Sequence, residues 1–155
     1  FKLFKKPIFN TTYGAIDQEL NRMGIRELSI SAISKAVCNI RSSKLPDPDQ
    51  LGNAGSFFKN PVVSNDQYES IKKNFPNISA YKDAVGMKLA AGWLIEQCGW
   101  KGKQIGNTGS HKDQALVLVN YGNASGQEVY ALSEKILESV KEKFGVQLER
   151  EVVIL

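Results

Sequence analysis

The stretch Gly52-Asn53-Ala54-Gly55-Ser56-Phe57-Phe58-Lys59-Asn60-Pro61 decides how this chain is read. Two close glycines let the backbone turn tightly, because without a Cβ they reach conformations closed to other residues. Ser56 stands where that turn enters an apolar, strand-like run, Phe57-Phe58. Asn60 and Pro61 close the segment, and Pro61 makes Phe57 to Val63 a short edge strand or extended segment. Spacing alone describes a tight turn that presents a serine, and turns favour serine anyway. The Gly-x-Ser-x-Gly elbow of the α/β hydrolases is absent, and the single histidine, His111, cannot complete a triad.

Upstream, Phe1 to Lys5 reads as a strand, and Thr12 as the cap of a helix running to about Met23 with Gly24 as its stop. Ser29 caps a second helix whose Ile30, Ile33, Val37 and Ile40 recur at spacings of three and four and face a core. Leu45-Pro46-Asp47-Pro48 cannot continue that helix, so it ends near Ser43. Downstream, Ser64 and Gln67 form a capping box for a helix bearing Tyr68, Ile71 and Phe75. Phe75 to Met87 reads as an irregular connector containing Tyr81. Leu89 to Cys98 reads as a helix broken at Gly99, and a glycine-rich loop runs on to Gly109. Gln114 to Val119 is a near-continuous apolar run, as in a strand buried on both faces. Ser125 and Glu128 make the clearest capping box, opening an amphipathic helix with Val129, Leu132, Ile136 and Val140 on one face and Gly145 at its end. Val146 to Leu155 reads as a final strand. Its Gln147, Glu149 and Glu151 lie on one face and Leu148, Val152 and Ile154 on the other. The irregular alternation predicts an α+β fold: a single two-layer domain of mixed or antiparallel strands packed with about five helices.

The 155 residues suit one domain and bury about 70% of the unfolded surface. No apolar run approaches the roughly 20 residues of a membrane helix, and no signal-peptide pattern opens the chain. The first residue is Phe1 and not Met, so an engineered or proteolytic boundary is expected there. A net charge of +4 is carried by scattered lysines without interleaved aromatics, which argues against a nucleic-acid binder and suits a small anionic ligand. Cys38 and Cys98 lie among apolar residues and read as reduced, buried thiols. His111 has no second histidine or cysteine pair near it and reads as a loop residue, so no metal site is expected. The stretch Gly102 to Gly109 lacks the Gly-Lys-Ser/Thr of a phosphate loop.

Lys44-Leu45-Pro46-Asp47-Pro48, the serine stretch and Lys88-Leu89-Ala90-Ala91-Gly92-Trp93-Leu94-Ile95-Glu96-Gln97 with Gly99 together resemble the UDP-N-acetylenolpyruvoylglucosamine reductase family. The resemblance is to the C-terminal, substrate-binding domain, covers nearly the whole chain and reaches its end. It implies a flavoenzyme, a UDP-N-acetylmuramate dehydrogenase, that reduces UDP-N-acetylglucosamine enolpyruvate with NADPH. The setting it implies is the bacterial cytoplasm, in the peptidoglycan synthesis that serves cell wall, shape and division. The family's FAD-binding half is missing from this sequence, as are its enolate-binding arginine and substrate-binding tyrosine. Residues 1–155 are therefore expected to be the substrate domain, with 1–25 the tail of, or link from, the FAD-binding region. The fragment alone is expected to be inactive and to bind no FAD.

By that resemblance Ser56 is the proton donor and Glu151 the residue that helps stabilise the enolate, while Lys44, Asn60, Tyr81, Lys101 and Gln114 bind the UDP portion. Tyr81 is matched across a small gap. Arg150 stands where relatives often have proline, so Glu149 is the alternative to Glu151. Without the resemblance Ser56 reads as a turn serine, Glu151 as part of a solvated edge, and the others as surface residues. A second reading from a different class is a stand-alone nucleotide-sugar binding module without catalysis, for which Ser56 and Glu151 have no use.

Overall fold

The computed structural model describes residues 5–12 and 14–154, and the chain divides into two compact units, Phe1–Leu45 and Pro46–Leu155. The strand expected from Phe1 falls on residues outside the described ones.

The first unit holds helices α1 (Ile16–Arg22) and α2 (Ile30–Lys44). Ser29 caps α2 as its sequence predicts, its hydroxyl accepting from the Ala32 N–H at 3.1 Å. Thr12 caps nothing: its N–H and hydroxyl both donate to Asn10 Oδ1, and α1 starts after Ala15. Ile33, Val37 and Ile40 pack on a small core of Ile16, Leu20 and Ala36, whereas Ile30 is 68% exposed. Cys38 is exposed, off that packed face, against the expectation of burial. Glu19 ties the two helices together, accepting from Arg22 and from Asn39 Nδ2. The Arg22 hydrogen bond, with Asn39 acting the same way, holds the Glu19 carboxyl down at about 2.

The second unit is built on two antiparallel sheets. Strands β1 (Gly52–Ser56), β5 (Gln104–Ile105), β6 (Thr108–Ser110) and β7 (Val117–Asn120) form one, in the order β1-β7-β6-β5. Strands β2 (Val62–Val63), β3 (Ala80–Lys82) and β4 (Met87–Leu89) form the other, in the order β2-β4-β3. Helices α3 (Asn65–Asn74), α4 (Ala91–Gln97) and α5 (Gly126–Phe144) complete it, so the described chain has five helices and the α+β class holds. Val117, Leu118 and Val119 are all buried, as the apolar run of β7 requires. One core collects Phe58, Leu89, Leu94 and Ile95 with Leu132, Ile136 and Val140 of α5. Trp100 closes it with its indole N–H donating to Ser139 Oγ at 2.6 Å.

Two local helix signals of the second unit appear as the sequence predicts. Ser125 and Glu128 form a complete reciprocal box, and Gly145 ends α5 at φ +65°, a conformation that favours glycine. At α3 only half a box exists. Ser64 Oγ accepts from the Gln67 N–H, but the Gln67 carboxamide reaches across to donate to the Gly145 carbonyl.

Strand signals were weaker. The expected connector around Tyr81 is the β3–β4 hairpin, and the expected glycine loop before Gly109 is the β5–β6 hairpin. The C-terminal segment is not a regular strand. It makes one isolated bridge, Phe58 with Arg150, yet keeps the alternation: Val146 and Leu148 are buried, while Gln147, Glu149 and Glu151 are exposed.

Candidate active site

Ser56 sits on a bulged strand and not on a turn. Gly52 faces Asn120 and Asn53 faces Val119, but Ser56 faces Val117, so β1 holds one residue more than its partner in between. Gly55 supplies the irregularity at φ +71°, and its N–H donates to Asn53 Oδ1 at 3.0 Å. Such a bulge re-aims the side chain that follows it. Here the following residue is the exposed Ser56.

Phe57 then carries the segment inward. Its N–H donates to the Leu116 carbonyl, and its own carbonyl accepts the Glu151 N–H at 2.9 Å. Lys59 N–H donates to the Glu149 carbonyl at 2.8 Å. The backbone thus brings the C-terminal segment alongside the residues after Ser56, and Glu151 to the residue beside it. Glu149, the alternative glutamate, has its carboxylate on the Lys59 ammonium.

Asn60 and Gln114 each reach the first turn of α4. Ala90, the residue before that helix, offers no side-chain cap, and Asn60 Oδ1 accepts the Ala91 N–H at 2.9 Å instead. A Cβ on Gly92 would lie 3.2 Å from Gln114 Oε1, so the missing side chain makes room for the Gln114 carboxamide. Tyr81, 63% exposed, lies on β3 opposite Lys88 of β4. Leu89 N–H donates to the Pro61 carbonyl, which couples that hairpin to the Asn60 segment. Lys101 follows α4 and pairs with Glu96 at 2.9 Å, away from the amide pair at the start of the helix. Lys44 is the last residue of α2, in the first unit; the other predicted site residues all belong to the second.

The β3–β4 hairpin that carries Tyr81 depends on Gly86. A Cβ there would lie 2.2 Å from the Val63 carbonyl oxygen, a contact that backbone cannot relieve. Gly86→Ala is therefore expected to separate β2 from β4 and cost about 1–3 kcal/mol. Denaturant unfolding checks this; an unchanged midpoint would contradict it.

A groove of about 710 Å³ is walled by Phe57 and Val152, the sequence neighbours of Ser56 and Glu151, and by Val129 and Tyr130 of α5, while Ser56 and Glu151 themselves are not among its lining residues. Sequence reasoning passed over Tyr130 and over Arg150 as a structural element. The signal was there in part: the capping box fixes the first turn of α5, and with it where residues 129 and 130 emerge. Arg150 Nε donates to Ser133 Oγ at 2.8 Å, its guanidinium pairs with Glu134, and it lies 4.5 Å over the Tyr130 ring. That Arg150 hydrogen bond, with Tyr130 acting the same way, holds the Glu134 carboxyl below the usual carboxylate range. Cys98 is partly buried, and burial pushes its thiol up. His111 is buried with Nδ1 accepting the Asp113 N–H, and no cluster of three metal-ligating side chains occurs among the described residues. No helix among the described residues is long and apolar enough to cross a membrane.

The second unit is thus an α+β domain with a serine on a bulged strand and the backbone of Glu151 bonded to the residue after it. The family model described as UDP-N-acetylenolpyruvoylglucosamine reductase, C-terminal domain, matches residues 47–155, and the chain belongs to that family. Three relatives named UDP-N-acetylenolpyruvoylglucosamine reductase illustrate the match. The protein from Pseudomonas putida is 56% identical over 90% of this chain and 41% of its own length. Those from Alcanivorax borkumensis and Chromobacterium violaceum are 49% and 51% identical over 99% and 100% of this chain, and 44% and 46% of their own lengths. The chain thus spans less than half the length of these relatives.

Proposed function

We propose that this chain is the substrate-binding and proton-donating part of a UDP-N-acetylenolpyruvoylglucosamine reductase, with residues 1–25 leading into it from the FAD-binding region. In this reading the whole protein reduces UDP-N-acetylglucosamine enolpyruvate to UDP-N-acetylmuramate with NADPH, in the cytoplasm, for peptidoglycan synthesis. The observation that supports it most is the Glu151 N–H on the carbonyl of Phe57, the residue after Ser56. It brings the backbone of Glu151 to the residue next to Ser56, and in this reading one reacting group needs both residues.

The substrate's enolpyruvyl group is an α,β-unsaturated carboxylate. Its reduction adds hydride at the β-carbon and leaves negative charge over the α-carbon and carboxylate. Ser56 then gives its hydroxyl proton to the α-carbon: the O–H bond breaks, the C–H bond forms, and the alkoxide is reprotonated by solvent. A free hydroxyl is a feeble acid, so the site must polarise it and stabilise the enolate, the role assigned to Glu151. Asn60 has its Oδ1 committed to Ala91, which leaves its Nδ2 donors for a diphosphate. Gln114, Tyr81 and Lys101 are the further proposed UDP contacts of the same unit, and Lys44 is proposed as one on the family resemblance alone. The Lys101–Glu96 pair is solvent-exposed and worth little, so an anionic ligand can displace it.

The lining of the groove does not suit the pyrophosphate of a flavin dinucleotide. No lysine or arginine lines the groove, so a pyrophosphate would find no counter-charge there. FAD and NADPH would supply the reducing equivalents and are assigned to the remainder of the longer protein. The full-length protein is expected to reduce the enolpyruvyl substrate with NADPH. The 155-residue chain alone should carry no flavin absorbance and oxidise no NADPH. Stoichiometric FAD on this chain would overturn that division of labour.

A further inference from the structure

Arg150 is the best-anchored side chain of the C-terminal segment. Nε donates to Ser133, which is fully buried and in turn donates to the Tyr130 carbonyl at 2.6 Å, so its hydroxyl is used in both directions. The other arm pairs with Glu134, and the plane stacks over Tyr130. All three partners lie within five residues of α5, residues 130–134. On the opposite side, the two backbone hydrogen bonds flanking the Phe58–Arg150 bridge, at residues 149 and 151, tie the same segment to the serine strand. The segment forms no regular strand among the described residues, so these bonds add to the burial of Val146 and Leu148 and to the exposed Glu149–Lys59 pair in holding it.

We propose that Arg150 is a positioning residue: by clamping the C-terminal segment onto α5, it fixes where Glu151 stands relative to Ser56. The inference rests on the reading that Glu151 serves the reaction. Two neighbours of the clamp, Tyr130 beneath the guanidinium and Val152 beyond Glu151, are walls of the groove that Phe57, the residue after Ser56, also lines. Loss of the clamp therefore shifts one wall and the glutamate together. A planar fork is needed for this geometry, since a lysine ammonium cannot serve Ser133, Glu134 and the Tyr130 face at once.

The test uses the full-length protein with Arg150→Met, Arg150→Lys, Glu151→Ala and the Arg150→Met, Glu151→Ala double variant. Misplacing a reacting group by about 1 Å costs up to about a hundredfold. Arg150→Met is expected to lower kcat about ten- to a hundredfold on that basis, with KM for the UDP-sugar within about twofold, and Arg150→Lys to recover little. In the Glu151→Ala background the same substitution should cost less than about twofold, because there is no carboxyl left to position. An equal loss in both backgrounds, or a KM that moves as much as kcat, would overturn the inference, as would no loss in the wild-type background. If Glu151→Ala alone left kcat unchanged, the functional reading would fail instead. Should Arg150→Met fail to fold, Ser133→Ala removes only one arm of the clamp and must show the same dependence on Glu151, with a smaller loss.

Discussion

Replacing Ser56 with alanine in the full-length protein is expected to lower kcat by roughly a hundred- to ten-thousandfold, the usual worth of a positioned general acid. The loss should fall on one half of the cycle. Reduction of the bound flavin by NADPH precedes any need for the serine and should run at close to its normal rate, while reduction of the enolpyruvyl group stalls. The bulge itself should survive, because Gly55 and Asn53 build it and neither is altered. UDP-sugar affinity should also hold, since Asn60 and Gln114 are positioned by the first turn of α4 and not by Ser56. A measured kcat within a few-fold of wild type would make Ser56 a structural residue of the bulge.

The two glutamates of the C-terminal segment should respond very differently. Glu151→Ala is expected to lower kcat about a hundredfold, in the range for loss of one group that stabilises a developing anion. Glu149→Ala should leave kcat within about twofold. The carboxylate of Glu149 is on Lys59 and both partners are largely exposed, and pairs of that kind contribute little. Parallel steady-state assays of the two variants decide the matter. The reverse ranking would move the assignment to Glu149 and with it the register of the segment.

What could be read from the sequence was what neighbouring residues decide among themselves. The Ser125–Glu128 box, the Ser29 cap and the Gly145 stop each need only one turn of helix, and all three appear where the pattern puts them. Burial alternation from Val146 to Glu151 was equally legible, even though the segment pairs at a single bridge. Features set by distant partners were not. Gln67 left its box because Gly145 stands within reach, and no local pattern records that. Strands β3 to β6 have two or three residues each and exist through their pairing, too short for a period of two to register. The serine stretch was read as a turn because a bulge is defined by the strand opposite, here β7.

The site divides the same way. The resemblance supplied Ser56, Glu151, Asn60 and Gln114 as separate positions. The fold adds a backbone bond from Glu151 to the residue after Ser56, and places Asn60 against Ala91 and Gln114 against Gly92. Arg150 was noticed only for departing from a family pattern. Its three partners on α5 become visible once the helix packs beside the last segment.

The most direct measurement of the central claim is a single-turnover comparison of Ser56→Cys with Ser56→Ala, following reduction of the enolpyruvyl substrate by the pre-reduced full-length protein. A thiol is a proton donor of similar reach, whereas alanine leaves only whatever water can enter. The account predicts that the cysteine variant is slower than wild type but faster than the alanine variant, by about tenfold or more if proton delivery limits the step. Equal rates for the two variants, or a wild-type rate in the alanine variant, would contradict proton donation by Ser56.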